Sequence, residues 1–167
     1  SMQTDKLLVE KYIEEKKPIV ISINYVPSYL NPDYIFLSNA KRYVQLATVL
    51  SGKSYPIIAT SNVTSSGKPF EYVLNISSLL DKDAEIIDNS LVMLLKAFVK
   101  MGISSVVLAG FDGYSSETAN YFKATMEYDF VKKMADYLNK YTIDYLESIK
   151  EQMDVSFLTQ SKYRGAE

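Results

Sequence analysis

No cysteine and no histidine occur among the 167 residues. The first absence removes a disulfide frame, a thiolate nucleophile and a zinc ribbon. The second removes the commonest general base and metal ligand. Any chemistry must therefore rest on carboxylates, hydroxyls, amides, Lys or Arg. An excess of one charge is missing too: 18 basic and 20 acidic residues leave a formal net charge of -2, and no long run has a single sign. The electrostatic footprint of a nucleic-acid binder is thus lacking, and no nucleic-acid partner is expected. No apolar stretch approaches the ~20 residues that span a bilayer, and no signal peptide is recognised. The expectation is a cytoplasmic protein without a membrane partner.

What is present is apolar: 47% of residues are hydrophobic and no linker divides them, so a single domain is expected over residues 3–167, with Ser1-Met2 reading as a cloning scar. Leu7, Leu8, Tyr12 and Ile13 at helical spacing predict a helix over 5–16, and Pro18 opens the β-branched strand "PIVISINY". "DYIFLSN" reads as a second strand, "AKRYVQLATVL" as a helix stopping at Ser51-Gly52, "YPIIATSN" as a third strand and "GKPFEYVLNI" as a fourth, placed at an edge by Pro69. Asp88-Asn89-Ser90 can cap the helix "LVMLLKAFVKM", and Gly102 falls where a C-terminal glycine belongs. In the strand "SSVVLAGFDG", Val106 to Ala109 form a run suited to burial on both faces. Phe122, Met126, Phe130, Met134, Leu138, Tyr141, Tyr145 and Ile149 keep a helical period over 117–152, with a break expected near 139–142, and "DVSFLTQS" closes the chain as a strand. Strands alternating with helices predict an α/β fold, a Rossmann-like three-layer sandwich with a mainly parallel sheet. "PIVISIN", "YIFLSN", "PIIATS" and "VVLAGF" are expected in one sheet with helices on both faces.

Parallel sheets place ligands outside the carboxyl ends of their strands. Those ends carry Asn24, Ser38-Asn39, Thr60-Ser61-Asn62, Asn75, Asp112-Gly113 and Thr159-Gln160-Ser161. Singly, short polar side chains cap turns and helices; as a row they can read a polar heterocycle, a ribose or a carboxylate. Gly110 and Gly113 let the backbone approach a ligand, and Asp112 can bind hydroxyls or a hydrated cation. Arg42 and Lys41 at a helix start can hold an anion, while Tyr25 and Tyr114 can stack on a base. The candidate ligand-binding set is Asn24, Ser38, Asn39, Arg42, Ser61, Asn62, Gly110, Asp112, Gly113 and Tyr114. Asn24, Asn39 and Asp112 are expected to share one cleft. "ATVLSGKS", 47–54, fits a relaxed Walker A pattern but follows a helix and precedes a strand, the reverse of what a phosphate loop requires.

"PIVISINYVPSYLNPDYIFLSNAKRY", "VVLAGFDGYS" and "FLTQSKY" resemble the C-terminal domain of two-domain bacterial proteins whose N-terminal part is an aldolase barrel similar to hydroxymethylglutaryl-CoA lyase and 4-hydroxy-2-oxovalerate aldolase. The likeness spans nearly the whole chain, although in that family a segment with a Gly-rich turn normally precedes the point where this sequence begins. The run from Asn89 to Asp112 also resembles a wider Rossmann-like group of bacterial sialyltransferases and archaeal hydroxymethylpterin diphosphokinases, whose strand ends hold a nucleotide or pterin. Asn24, Asn39 and Asp112 match that polar rim by position, the two asparagines loosely. The upstream Gly-rich turn and the sialyltransferase histidine are missing here, which speaks against glycosyl transfer.

The resemblance implies a companion domain of a carbon–carbon lyase, partnered by the aldolase barrel of the same protein. This fragment alone is not expected to be catalytic, because a barrel needs ~250 residues and the family's metal sits on a His-x-His pair. Two readings stand: a module binding a nucleotide or other small polar ligand, with Mg²⁺ as the candidate cofactor, or a docking and oligomerisation domain. An independent glycosyl- or phosphotransferase fits less well, because no acid–base pair is evident.

Overall fold

The computed structural model describes residues 4–49, 54–121, 126 and 128–164. It is an α/β structure with the order α1 (Lys6–Lys16), β1 (Ile21–Ile23), β2 (Tyr34–Leu37), α2 (Ala40–Val49), β3 (Ile57–Thr60), β4 (Tyr72–Leu74), α3 (Ser90–Lys100), β5 (Ser105–Leu108), α4 (Asp129–Lys133), α5 (Ala135–Ile149) and β6 (Asp154–Phe157). A 3₁₀ turn at Ile76–Ser78 follows β4. The chain divides into two compact units, Tyr12–Ala97 and Ser1–Lys11 with Phe98–Glu167.

The first unit holds a four-stranded sheet in the order β1-β2-β3-β4, and every strand pairing in it is parallel. The register sets Ser22 beside Ile35, Ile35 beside Ile57 and Leu37 beside Ala59, so these residues share one face. Ile35 and Leu37 pack on that face with Val26 and with Leu46 of α2, and Tyr43, Tyr55 and Ile57 close around them. Central β2 has Ile35, Phe36 and Leu37 all buried, as an unbroken apolar run predicts for a strand covered on both sides. β4 lies at the end of the order, as Pro69 near its start suggested, and its Val73 is 58% exposed. In α3, Asn89 supplies the cap, its Oδ1 accepting from Val92 N–H at 3.2 Å. The apolar residues from Leu91 to Leu95 are all buried.

In the second unit β5 pairs with β6, also in parallel, from Ser105 beside Asp154 to Leu108 beside Phe157. The expectation that "VVLAGF" joins the other three segments in one sheet is therefore corrected: β5 belongs to a two-stranded sheet of its own. A short apolar run signals a strand but carries nothing that names its partner. Nor is β5 buried on both faces, since Ser105 is exposed and Val107 is 40% exposed. Gly102 does end α3, with φ of +73° and its N–H bonded to Val99 C=O at 3.0 Å.

The long helix expected over 117–152 is shorter than its periodicity. Residues 117–121 are not helical, and the break falls at Met134, between α4 and α5, rather than at 139–142. Thr142, buried in mid-helix, satisfies its hydroxyl on Leu138 C=O at 2.8 Å, and α5 runs unbroken through it. Phe122 and the stop at Ser51-Gly52 lie outside the described residues, as do Ser1-Met2 and residues 50–53 of the rejected "ATVLSGKS" segment.

Candidate functional site

The carboxyl ends of β1, β2 and β3 carry a connected set of amides and hydroxyls. Asn24 follows β1 with φ of +60°, a left-handed conformation that Asn tolerates better than most residues. Its Nδ2 donates to Ser90 Oγ at 3.0 Å, and Ser90 Oγ lies 2.7 Å from Ser38 Oγ at the end of β2. Asn62, past β3, donates through Nδ2 to Ser38 C=O at 3.1 Å and accepts from Thr60 Oγ1 at 2.6 Å. Three strand ends are thereby tied to the first turn of α3. One group remains outside this accounting: Asn24 Oδ1 is buried and has no hydrogen-bond partner among the described residues. A buried acceptor without a donor costs about 1–3 kcal/mol, so this atom calls for a donor from water or from a ligand.

Other members of the row are occupied locally. Asn39 Oδ1 caps α2, accepting from Lys41 N–H at 2.8 Å and Arg42 N–H at 3.4 Å. Ser61 Oγ accepts from Ile76 N–H at 3.2 Å, and Asn75 Oδ1 caps the 3₁₀ turn through Ser77 N–H at 3.1 Å. Arg42 is only 3% exposed and donates along α2 to Gln45 Oε1 at 3.0 Å. Burial pushes the Tyr25 phenol above its usual range, while its backbone N–H closes a tight turn on Ile23 C=O at 2.7 Å.

The remaining candidates lie in the other unit, at the ends of β5 and β6. Gly110 and Gly113 both have positive φ, +77° and +95°, so the glycines are needed by the turn itself. Gly110 N–H donates to Thr159 Oγ1 at 2.9 Å, and Lys162 N–H donates to Asp112 C=O at 2.9 Å. A Cβ on Gly113 would come within 2.9 Å of Lys162 Cβ and 3.2 Å of Asn139 Oδ1. Tyr114 exchanges two hydrogen bonds with the Asn139 side chain, and Lys162 Nζ donates to Tyr114 C=O at 2.8 Å. Positive φ thus explains both glycines, and at Gly113 close side-chain contacts add to the requirement. Asp112 is exposed, and its charge helps to raise the pKa of the buried Tyr163 phenol.

Asn24, Ser38 and Asn62 are brought together, and Asn39 and Ser61 serve as caps beside them. The premise that placed Asp112 next to Asn24, a shared sheet, fails because β5 pairs with β6. Among the described residues no group of three or more carboxylates could hold a metal ion.

Sequence reasoning read Ser90 only as part of a cap. Asp, Asn and Ser cap about equally well, so only the fold shows that Asn89 caps α3 and frees Ser90 in the first turn to present its hydroxyl. Asn139 and Lys162 were missed, since nothing local marks a residue whose partners lie 25 and 48 positions away. No helix among the described residues is long and apolar enough to cross a membrane. Comparison of the chain with protein-family models, with curated proteins and with solved structures returns no match.

Proposed function

We propose that the chain binds a small polar ligand, in the first instance a nucleotide, at the carboxyl ends of β1, β2 and β3. The observation that carries this reading is Asn24 Oδ1, which lies beside the hydroxyls of Ser38 and Ser90 and is a buried acceptor with no partner among the described residues. Asn24 itself is held at φ +60°, and backbone strain of this kind clusters at ligand sites. Parallel strands that end together also favour this edge.

In this reading the domain is a Rossmann-like three-layer sandwich of the kind its sequence resembles. It is the cytoplasmic companion of an aldolase barrel, itself lacking carbon–carbon lyase activity, and Mg²⁺ enters only with the ligand's phosphates. The support for the aldolase partnership is the resemblance of the quoted segments alone.

A thermal-shift screen against nucleotides, nucleotide sugars and pterins, with and without Mg²⁺, tests the proposal. A ligand present at 100 times its Kd should stabilise the fold by about 2.7 kcal/mol. A selective rise in melting temperature that is lost in Asn24→Ala supports the site. A flat screen would overturn it and put the docking and oligomerisation reading ahead.

A further inference from the structure

We draw no further inference here: the strongest candidate, the exposed apolar edge of β4 formed by Tyr72 and Val73, carries none because nothing in the structure shows what covers it.

Discussion

The side-chain amide of Asn139 pairs with the backbone of Tyr114 in both directions, Oδ1 accepting from the N–H at 2.7 Å and Nδ2 donating to the C=O at 2.9 Å. A residue in mid-helix thereby fixes the loop that leaves β5. Asn139→Ala would strip both bonds from a part-buried backbone and should cost about 1–3 kcal/mol. Asn139→Asp keeps the acceptor but sets a carboxylate oxygen against Tyr114 C=O, so at neutral pH it should cost at least as much as Ala. Urea unfolding of the three proteins decides the matter, and an unchanged midpoint for Asn139→Ala would show that the clamp contributes nothing.

Gly113 and Gly67 make a contrasting pair. At Gly113 an alanine meets both φ of +95° and the Lys162 Cβ at 2.9 Å, so Gly113→Ala should destabilise by roughly 1–3 kcal/mol. At Gly67 nothing lies within 4 Å of the added carbon, and Gly67→Ala should leave stability unchanged or raise it by up to about 1 kcal/mol. Equal effects in calorimetry would contradict the close packing at Gly113.

The aromatic content gives a pH dependence with a definite sign. Tyr163 is 7% exposed, and burial, aided by Tyr121 and Asp112, pushes its phenol up to about 12 against the opposing hydrogen bond with Thr142. A folded-state pKa above the unfolded value of 10.0 means that the folded chain holds the proton more tightly. The stability so gained is complete below pH 10 and is lost as pH rises from 10 toward 12, at about 1.4 kcal/mol per pH unit. Tyr163→Phe should flatten that part of the alkaline decline. Asp112→Asn should lower the Tyr163 pKa while shifting stability at pH 7 by less than about 0.5 kcal/mol, because the carboxylate is exposed. Titration followed by tyrosinate absorbance reads both variants, and an unmoved high-pH phenol in Tyr163→Phe would reassign the signal, for example to Tyr145, which burial also raises to about 12.

Much of the fold is legible locally. β1 to β4, α2, α3 and β6 all fall within the segments that period and capping mark out, because each depends on residues within a few positions of itself. The division into two sheets is not legible, since Val106, Val107 and Leu108 would look the same beside β1 as beside β6. The helix expected to begin at Glu117 failed for a related reason. There Ser115 and Asn120 hold the chain in a turn, Asn120 Oδ1 accepting from Ser115 N–H at 2.6 Å, and this local bonding competes with helix. At the strand ends, residue type announced polar groups but could not separate the cap Asn39 from Asn24, whose Oδ1 lacks a partner among the described residues. That distinction depends on which backbone N–H groups come within reach after folding.

Ser90 links two of the three strand ends, which makes it a test of the site as well as of the fold. Ser90→Ala removes the acceptor of Asn24 Nδ2 and the hydroxyl partner of Ser38, and should lower stability by about 1–3 kcal/mol. Ser90→Thr retains the hydroxyl and should recover most of that loss. In the ligand-binding reading the Ala variant also weakens binding, whereas a purely structural Ser90 would leave the affinity of the folded fraction unchanged. Isothermal titration with the ligand found in the thermal-shift screen distinguishes the two.

The sequence distances across the two ladders differ in a way that bears on folding order. Partners within the four-stranded sheet are close along the chain, Ile21 and Tyr34 being 13 positions apart and Ile58 and Tyr72 14 apart, but Ser105 and Asp154 are separated by 49. Closing the longer loop costs about 1 kcal/mol more in chain entropy. Joining β5 to β6 also waits on an intervening segment that contains two helices. Long-range parallel pairing of this kind is slow. The β5–β6 ladder should thus be the later of the two to acquire amide protection during refolding, and the Asp112 loop, anchored across it by Thr159 and Lys162, should be completed only with it.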